Sequence, residues 1–177
     1  MHIRCVVTGQ DASGKSIFVR DSRVEPITLA LFPGYEFHRL WGSDSAPALP
    51  TDGTPPSQPR YFPPKPGYRF GFFTIPPDTV ARTERLSTAP VLEEIQLRLP
   101  GMLEVLERDH PGMHTTDTID YDVVVSGEVV LELDDGAEVH LKAGDCVVQN
   151  GTRHAWRNRS TQNCVIAVTL LGAERRR

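Results

Sequence analysis

From residue 113 to residue 171 the chain runs in short segments of alternating apolar and polar residues, broken by glycine-bearing turns. Val129, Leu131 and Leu133 alternate with Val130 and Glu132. The run Asp134-Asp135-Gly136 makes a turn, and Val139 and Leu141 then alternate with Glu138, His140 and Lys142. Successive side chains of a strand point to opposite faces, so this pattern predicts a β-hairpin with one wet face and an exposed His140. Residues 146–148 and 164–168 predict further strands. A chain whose second half is written this way is mainly β.

The first half adds strands and little helix. Residues 3–9 and 16–20 read as strands joined by a polar turn over 10–15, residues 27–41 hold a β-like stretch ending in Phe37, Leu40 and Trp41, and residues 68–75 form an aromatic strand. Between 47 and 67 lie eight prolines. With no periodicity, residues 44–67 predict a long surface arm, and 46–66 the most protease-sensitive internal stretch. Helical spacing appears only over about 90–109, where Val91, Ile95, Leu99, Leu103 and Leu106 recur and Glu93 and Glu94 suit a first turn. Pro100-Gly101 is expected to break it in two.

Composition narrows the function. The 177 residues suit one domain, with 39% hydrophobic and 24% charged residues. A net charge of −4 argues against a general nucleic-acid binder. The basic tail, Arg175 to Arg177, reads as a solvated chain end. Cys5, Cys146 and Cys164 are odd in number and far apart, which fits reduced thiols rather than a disulfide framework or zinc knuckle. No segment has the length or apolarity of a secretory leader or a membrane span. The expectation is a cytoplasmic protein without a membrane partner.

One motif misleads. Residues 9–16 match GxxxxGK[ST] to the letter. A phosphate-binding loop needs a helix starting at its lysine, so that backbone N–H groups and the helix dipole face the phosphate. Here Ser16-Ile17-Phe18-Val19-Arg20 is β-branched and aromatic. The expected reading is a hairpin turn, with no nucleotide.

A second constellation lies between Gly112 and Asn158. His114-Thr115-Thr116 is followed by three residues, Asp120, six residues and Gly127. Gly144-Asp145 then leads to Gln149-Asn150-Gly151-Thr152-Arg153-His154 and Asn158. This spacing resembles the two motifs of the cupin superfamily, with four departures: Thr116 stands where the first motif has its second histidine, Asp120 replaces glutamate, Gln149 replaces proline, and the run from Gly144 is one residue short. The resemblance covers about a third of the chain. It implies a double-stranded β-helix, the cupin or jelly-roll barrel, with N-terminal strands and one short helical segment. Residues 1–87 would be strands and a proline-rich arm packed on the barrel, and 88–177 the barrel itself.

Strand parity supports the match, since His114, Thr116 and Asp120 share a face and His154 arrives from a separate strand. Two imidazoles and a carboxylate form the ligand set of non-heme iron sites. The resemblance therefore implies that His114, Asp120 and His154 are catalytic and hold a divalent metal (Fe, Mn, Ni or Zn). Thr116, Gln149, Arg153, Tyr121 and Trp156 are candidate substrate-binding residues, with Arg153 facing a substrate carboxylate. The implied function is small-molecule binding, as a metal-dependent dioxygenase, decarboxylase or isomerase/lyase acting on a small organic acid or aromatic metabolite. The alternative is a metal-free ligand-binding or sensor module. A homodimer, paired through N-terminal strands, is also expected.

Overall fold

The computed structural model describes residues 2–80 and 88–176. Strands β1 (Ile3–Gln10) and β2 (Ser16–Val24) form an antiparallel hairpin that is a sheet of its own. The larger sheet contains β3 (Ile27–Leu29), β4 (Phe32–Ser43), β5 (Tyr68–Ile75), β6 (Thr118–Ser126), β9 (Cys146–Gln149) and β11 (Cys164–Gly172), in the order β3-β4-β5-β11-β6-β9. The smaller sheet contains β7 (Glu128–Glu132), β8 (Glu138–Lys142) and β10 (Ala155–Arg157), in the order β10-β7-β8. Every paired strand is antiparallel.

The two sheets share one apolar core. Ile75, Val124, Cys164 and Ile166 from the larger sheet pack with Val129, Leu131 and Leu141 from the smaller. The chain passes from β6 to β7, and so from one sheet to the other, at Gly127, whose φ is +75°. A Cβ there would lie 2.5 Å from the carbonyl oxygen of Asn163, so only glycine fits. Alternating strands across two facing sheets make this the double-stranded β-helix that the motifs imply.

The expected division at 87/88 does not separate two sheets. β5 hydrogen-bonds along its length to β11, and β4 to β5, so β4 and β5 lie in the same sheet as β6, β9 and β11. Residues 81–87, at the division itself, lie outside the described residues.

The helical segment breaks as expected. Helix α1 (Ala89–Arg98) ends before Pro100, and α2 (Met102–Val105) restarts after Gly101, whose φ is +92°. It ends sooner than the periodicity suggests, because Leu106 is already bridged to His114. Ile95, Leu99 and Met102 pack with Leu29 and Phe37 and with half-buried Tyr61 and Phe62 in a second cluster.

The proline-rich arm departs in part from its expected exposure. Residues 45–52 are exposed. Beyond them Gly53, Pro63 and Gly67 are buried, and the chain is tied down. The Tyr61 N–H donates to the Pro100 carbonyl at 2.9 Å, the Arg60 side chain pairs with Glu104, and the Arg60 carbonyl accepts from both Arg39 and Arg69. Residues 58–63 are thus a fastened strap, held by long-range partners that local composition does not reveal.

The phosphate-loop look-alike is the β1–β2 turn. At its centre the Asp11 carboxylate accepts from the N–H groups of Ser13 and Lys15 and from the Ser13 hydroxyl. These bonds hold its carboxyl below the usual range. An anion already occupies the donors that a phosphate would need.

Candidate functional site

His114 and His154 are paired across the barrel backbone. Each backbone N–H donates to the other residue's carbonyl, at 2.9 and 3.0 Å, in an isolated antiparallel bridge. That pairing puts both rings on one face, with centroids 4.2 Å apart and planes inclined by 50°. His154 shares strand parity with Trp156, and its ring meets that indole edge-on at 6.0 Å. Trp156 in turn packs against the barrel core, so the imidazole pair faces the interior.

The protonation state follows from the bonds. Nδ1 of His114 lies 3.0 Å from the Gly112 carbonyl, and Nδ1 of His154 lies 3.0 Å from the Thr152 carbonyl. A carbonyl oxygen only accepts, so each Nδ1 carries the proton. Nε2 of each ring is left as a lone-pair acceptor without a protein partner among the described residues. Burial disfavours the imidazolium form and holds His114 below the ordinary range. Burial, and then the neighbouring His114, lower His154 to about 4. The site therefore presents two neutral imidazoles near pH 7.

Strand β6 lines the facing wall. Thr118, Asp120, Asp122 and Val124 are buried, while Tyr121, Val123 and Val125 are exposed. Asp120 pairs across the ladder with Gln149 on one side and Leu170 on the other, and Asp122 with Val147 and Val168. Desolvation raises Asp120 to about 6. Desolvation, followed by repulsion from Asp120, raises Asp122 to about 8. Tyr61, on the strap, is close enough to feel both charges, and its burial raises its phenol. Asp122 and Tyr61 were not among the expected site residues. Asp122 carried a signal, its spacing of two from Asp120; Tyr61 carried none, because its approach depends on the strap.

The other expected residues divide by parity. Gln149 is buried and inward, with Oε1 accepting from the Thr152 hydroxyl. Thr116 is buried, and its hydroxyl is spent on Thr118 at 2.8 Å. Tyr121 is a correction: one residue from Asp120, it points outward and is 48% exposed. Arg153 is another: one residue from His154, it points away from the pair, makes a two-pronged ion pair with Glu107 and bonds Asp134. Its guanidinium is committed to protein carboxylates. Arg175 is no frayed end, since it bonds the Thr116 and Gly151 carbonyls and pairs with Asp117.

The expected metal set is met only in part. The imidazole pair supplies two donors of a suitable kind. Among the described residues, however, no group of three or more His, Cys, Asp or Glu side chains is arranged to hold a metal ion. The donor set present does not match a three-ligand centre.

The fold and the paired motifs define a barrel protein with a polar, histidine-bearing interior. Comparison with known proteins agrees. Residues 102–170 match the Cupin domain family. The chain is 32% identical over 160 residues to the phomopsin biosynthesis cluster protein C′ of Diaporthe leptostromiformis, covering 87% of this chain and 69% of that protein. It is 47% identical over 67 residues to the oryzines biosynthesis cluster protein J of Aspergillus oryzae, covering 35% of this chain and 37% of that one. The cupin domain of Schizosaccharomyces pombe Cnp3 is similar over 97% of this chain and 87% of its own, at 11% identity and a TM-score of 0.48. The chain belongs to the cupin superfamily.

Proposed function

We propose that this cupin binds a small metabolite inside its barrel and acts on it by proton transfer at the His114–His154 pair, as one step of a biosynthetic pathway. The observation that carries the reading is the pair itself: two neutral imidazoles, each fixed by a backbone carbonyl at Nδ1, with Nε2 left as a base. A general base must be unprotonated at working pH and aimed at its substrate, and burial supplies the first condition. Of the expected reaction types, isomerase or lyase chemistry needs only this proton transfer. The relatives named for the phomopsin and oryzines clusters support a biosynthetic setting.

The test is turnover. A metabolite extract from the source organism is incubated with the protein and followed by mass spectrometry. The wild-type chain and His140→Gln should deplete one mass and raise another, while His154→Gln should do neither. A His154→Gln variant as active as wild type would remove the pair from the chemistry. Binding without conversion would favour the sensor-module alternative.

The same reading pairs two copies of the chain. In its support, an apolar row crosses the outer face of the larger sheet, with Phe70, Tyr121 and Val148 all exposed.

A further inference from the structure

Beside the imidazole pair lies a second, unassigned recognition element. Asp120 and Gln149 are register partners across β6 and β9, both buried and both inward, at 5% and 3% exposure. Each keeps one polar atom without a hydrogen-bond partner: Oδ1 of Asp120 and Nε2 of Gln149. The remaining atoms of both groups are held. The neighbouring Thr118 hydroxyl is shared with that of Thr116 at 2.8 Å. Oε1 of Gln149 accepts from Thr152, which turns Nε2 away from that loop as a donor. An unmade acceptor and an unmade donor thus sit side by side on neighbouring strands, with their supports fixed. Buried polar atoms in folded proteins are paired in the great majority of cases, and two adjacent exceptions of opposite sense describe the complement of something absent.

We infer that Asp120 and Gln149 form a subsite for a neutral carboxamide of the ligand, its carbonyl accepting from Gln149 Nε2 and its N–H donating to Asp120 Oδ1. This rests on the reading above that the barrel interior takes a small metabolite. The chemistry selects the class. An amide carries an acceptor and a donor on adjacent atoms, matching both orphans at once, whereas an ester or ketone satisfies only Gln149. A carboxylate has no N–H to donate to Asp120 Oδ1 and would set lone pairs against that acceptor.

Titration of the isotope-labelled full chain with N-methylacetamide, read at the Gln149 side-chain NH2 signals, tests it. A saturable shift is expected, with methyl acetate weaker by about tenfold, the scale of one hydrogen bond left unmade. Sodium acetate should give no saturable shift. Gln149→Met removes the orphan donor together with the Oε1 acceptor of the Thr152 hydroxyl, and its β6 and β9 backbone signals are expected to lose the saturable response to the amide. A flat Gln149 response to the amide, an equal response to the ester, or a Gln149→Met variant whose β6 and β9 signals still saturate with the amide would each overturn the subsite. The His154 ring signals in the same titration report on the pair separately. A Gln149 response with silent imidazoles would keep the subsite and count against the proposed chemistry.

Discussion

Asn158 shows what a single residue can hold. It is fully buried, and its side chain makes four bonds: Nδ2 donates to the carbonyls of Ile75 and Gln162, and Oδ1 accepts from the N–H and hydroxyl of Ser160. It ties the β10–β11 turn to the end of β5. Removing it strands several buried partners, so Asn158→Ala is expected to cost about 2–4 kcal/mol in urea unfolding. A cost below about 0.5 kcal/mol, the level of an ordinary surface change, would contradict the account. At this scale the sequence was legible where parity was applied and misleading where it was not. His114, His154, Gln149 and Trp156 face inward as their alternation requires. Tyr121 and Arg153 each sit one residue from an inward neighbour and face out. Arg153's partner Glu107 lies 46 residues away, a distance over which alternation says nothing.

Among the elements, β6 carries the acidic wall of the site. Its Thr-x-Asp-x-Asp-x-Val alternation buries both aspartates on one face, with an electrostatic consequence. Asp122 has a folded value of about 8 against an ordinary value near 4, so between these pH values the native state keeps a proton that the unfolded chain has released. Stability from this group therefore falls as pH rises from about 4 to about 8. His154 acts with the opposite sign below about 6.5, where the unfolded chain binds a proton that the buried ring refuses. Comparing Asp122→Asn with wild type isolates the carboxyl: the variant should gain on wild type steadily across that range in urea titrations. A difference independent of pH would show that Asp122 is ionised in the fold. The strap carries its own prediction. Limited proteolysis should cut first within 45–52, which is exposed, and spare 58–63, which is fastened to Pro100, Glu104, Arg39 and Arg69. A first cut inside 58–63 would mean that the strap opens readily. Proline content marked this segment as irregular; only its distant partners decide which part is free.

As a whole, the molecule sets buried polar groups beside an apolar core and carries an apolar patch on the outer face of its larger sheet. Phe70, Thr169, Tyr121 and Val148 follow one another across β5, β11, β6 and β9, and Val123 and Leu171 extend the exposed patch. Contiguous apolar surface of this kind marks an association face, and a self-complementary patch suits a twofold pair. Light scattering should therefore find a dimer that Val148→Lys converts to monomer; a monomeric wild-type chain would contradict the pairing. The β1–β2 hairpin touches β4 of its own chain, where Arg20 donates to the Leu40 carbonyl. The barrel itself was legible from the motif spacing and the turns. Among the described residues no third His, Cys, Asp or Glu side chain is grouped with the two imidazoles.

The account turns on those imidazoles being neutral acceptors, and nitrogen-detected NMR of the histidine rings tests that most directly. His114 and His154 should appear as Nδ1–H tautomers near pH 7, with His154 gaining its second proton only toward about pH 4. A His154 ring protonated at both nitrogens near neutral pH, or carrying its proton on Nε2, would contradict the proposed base and the site built around it.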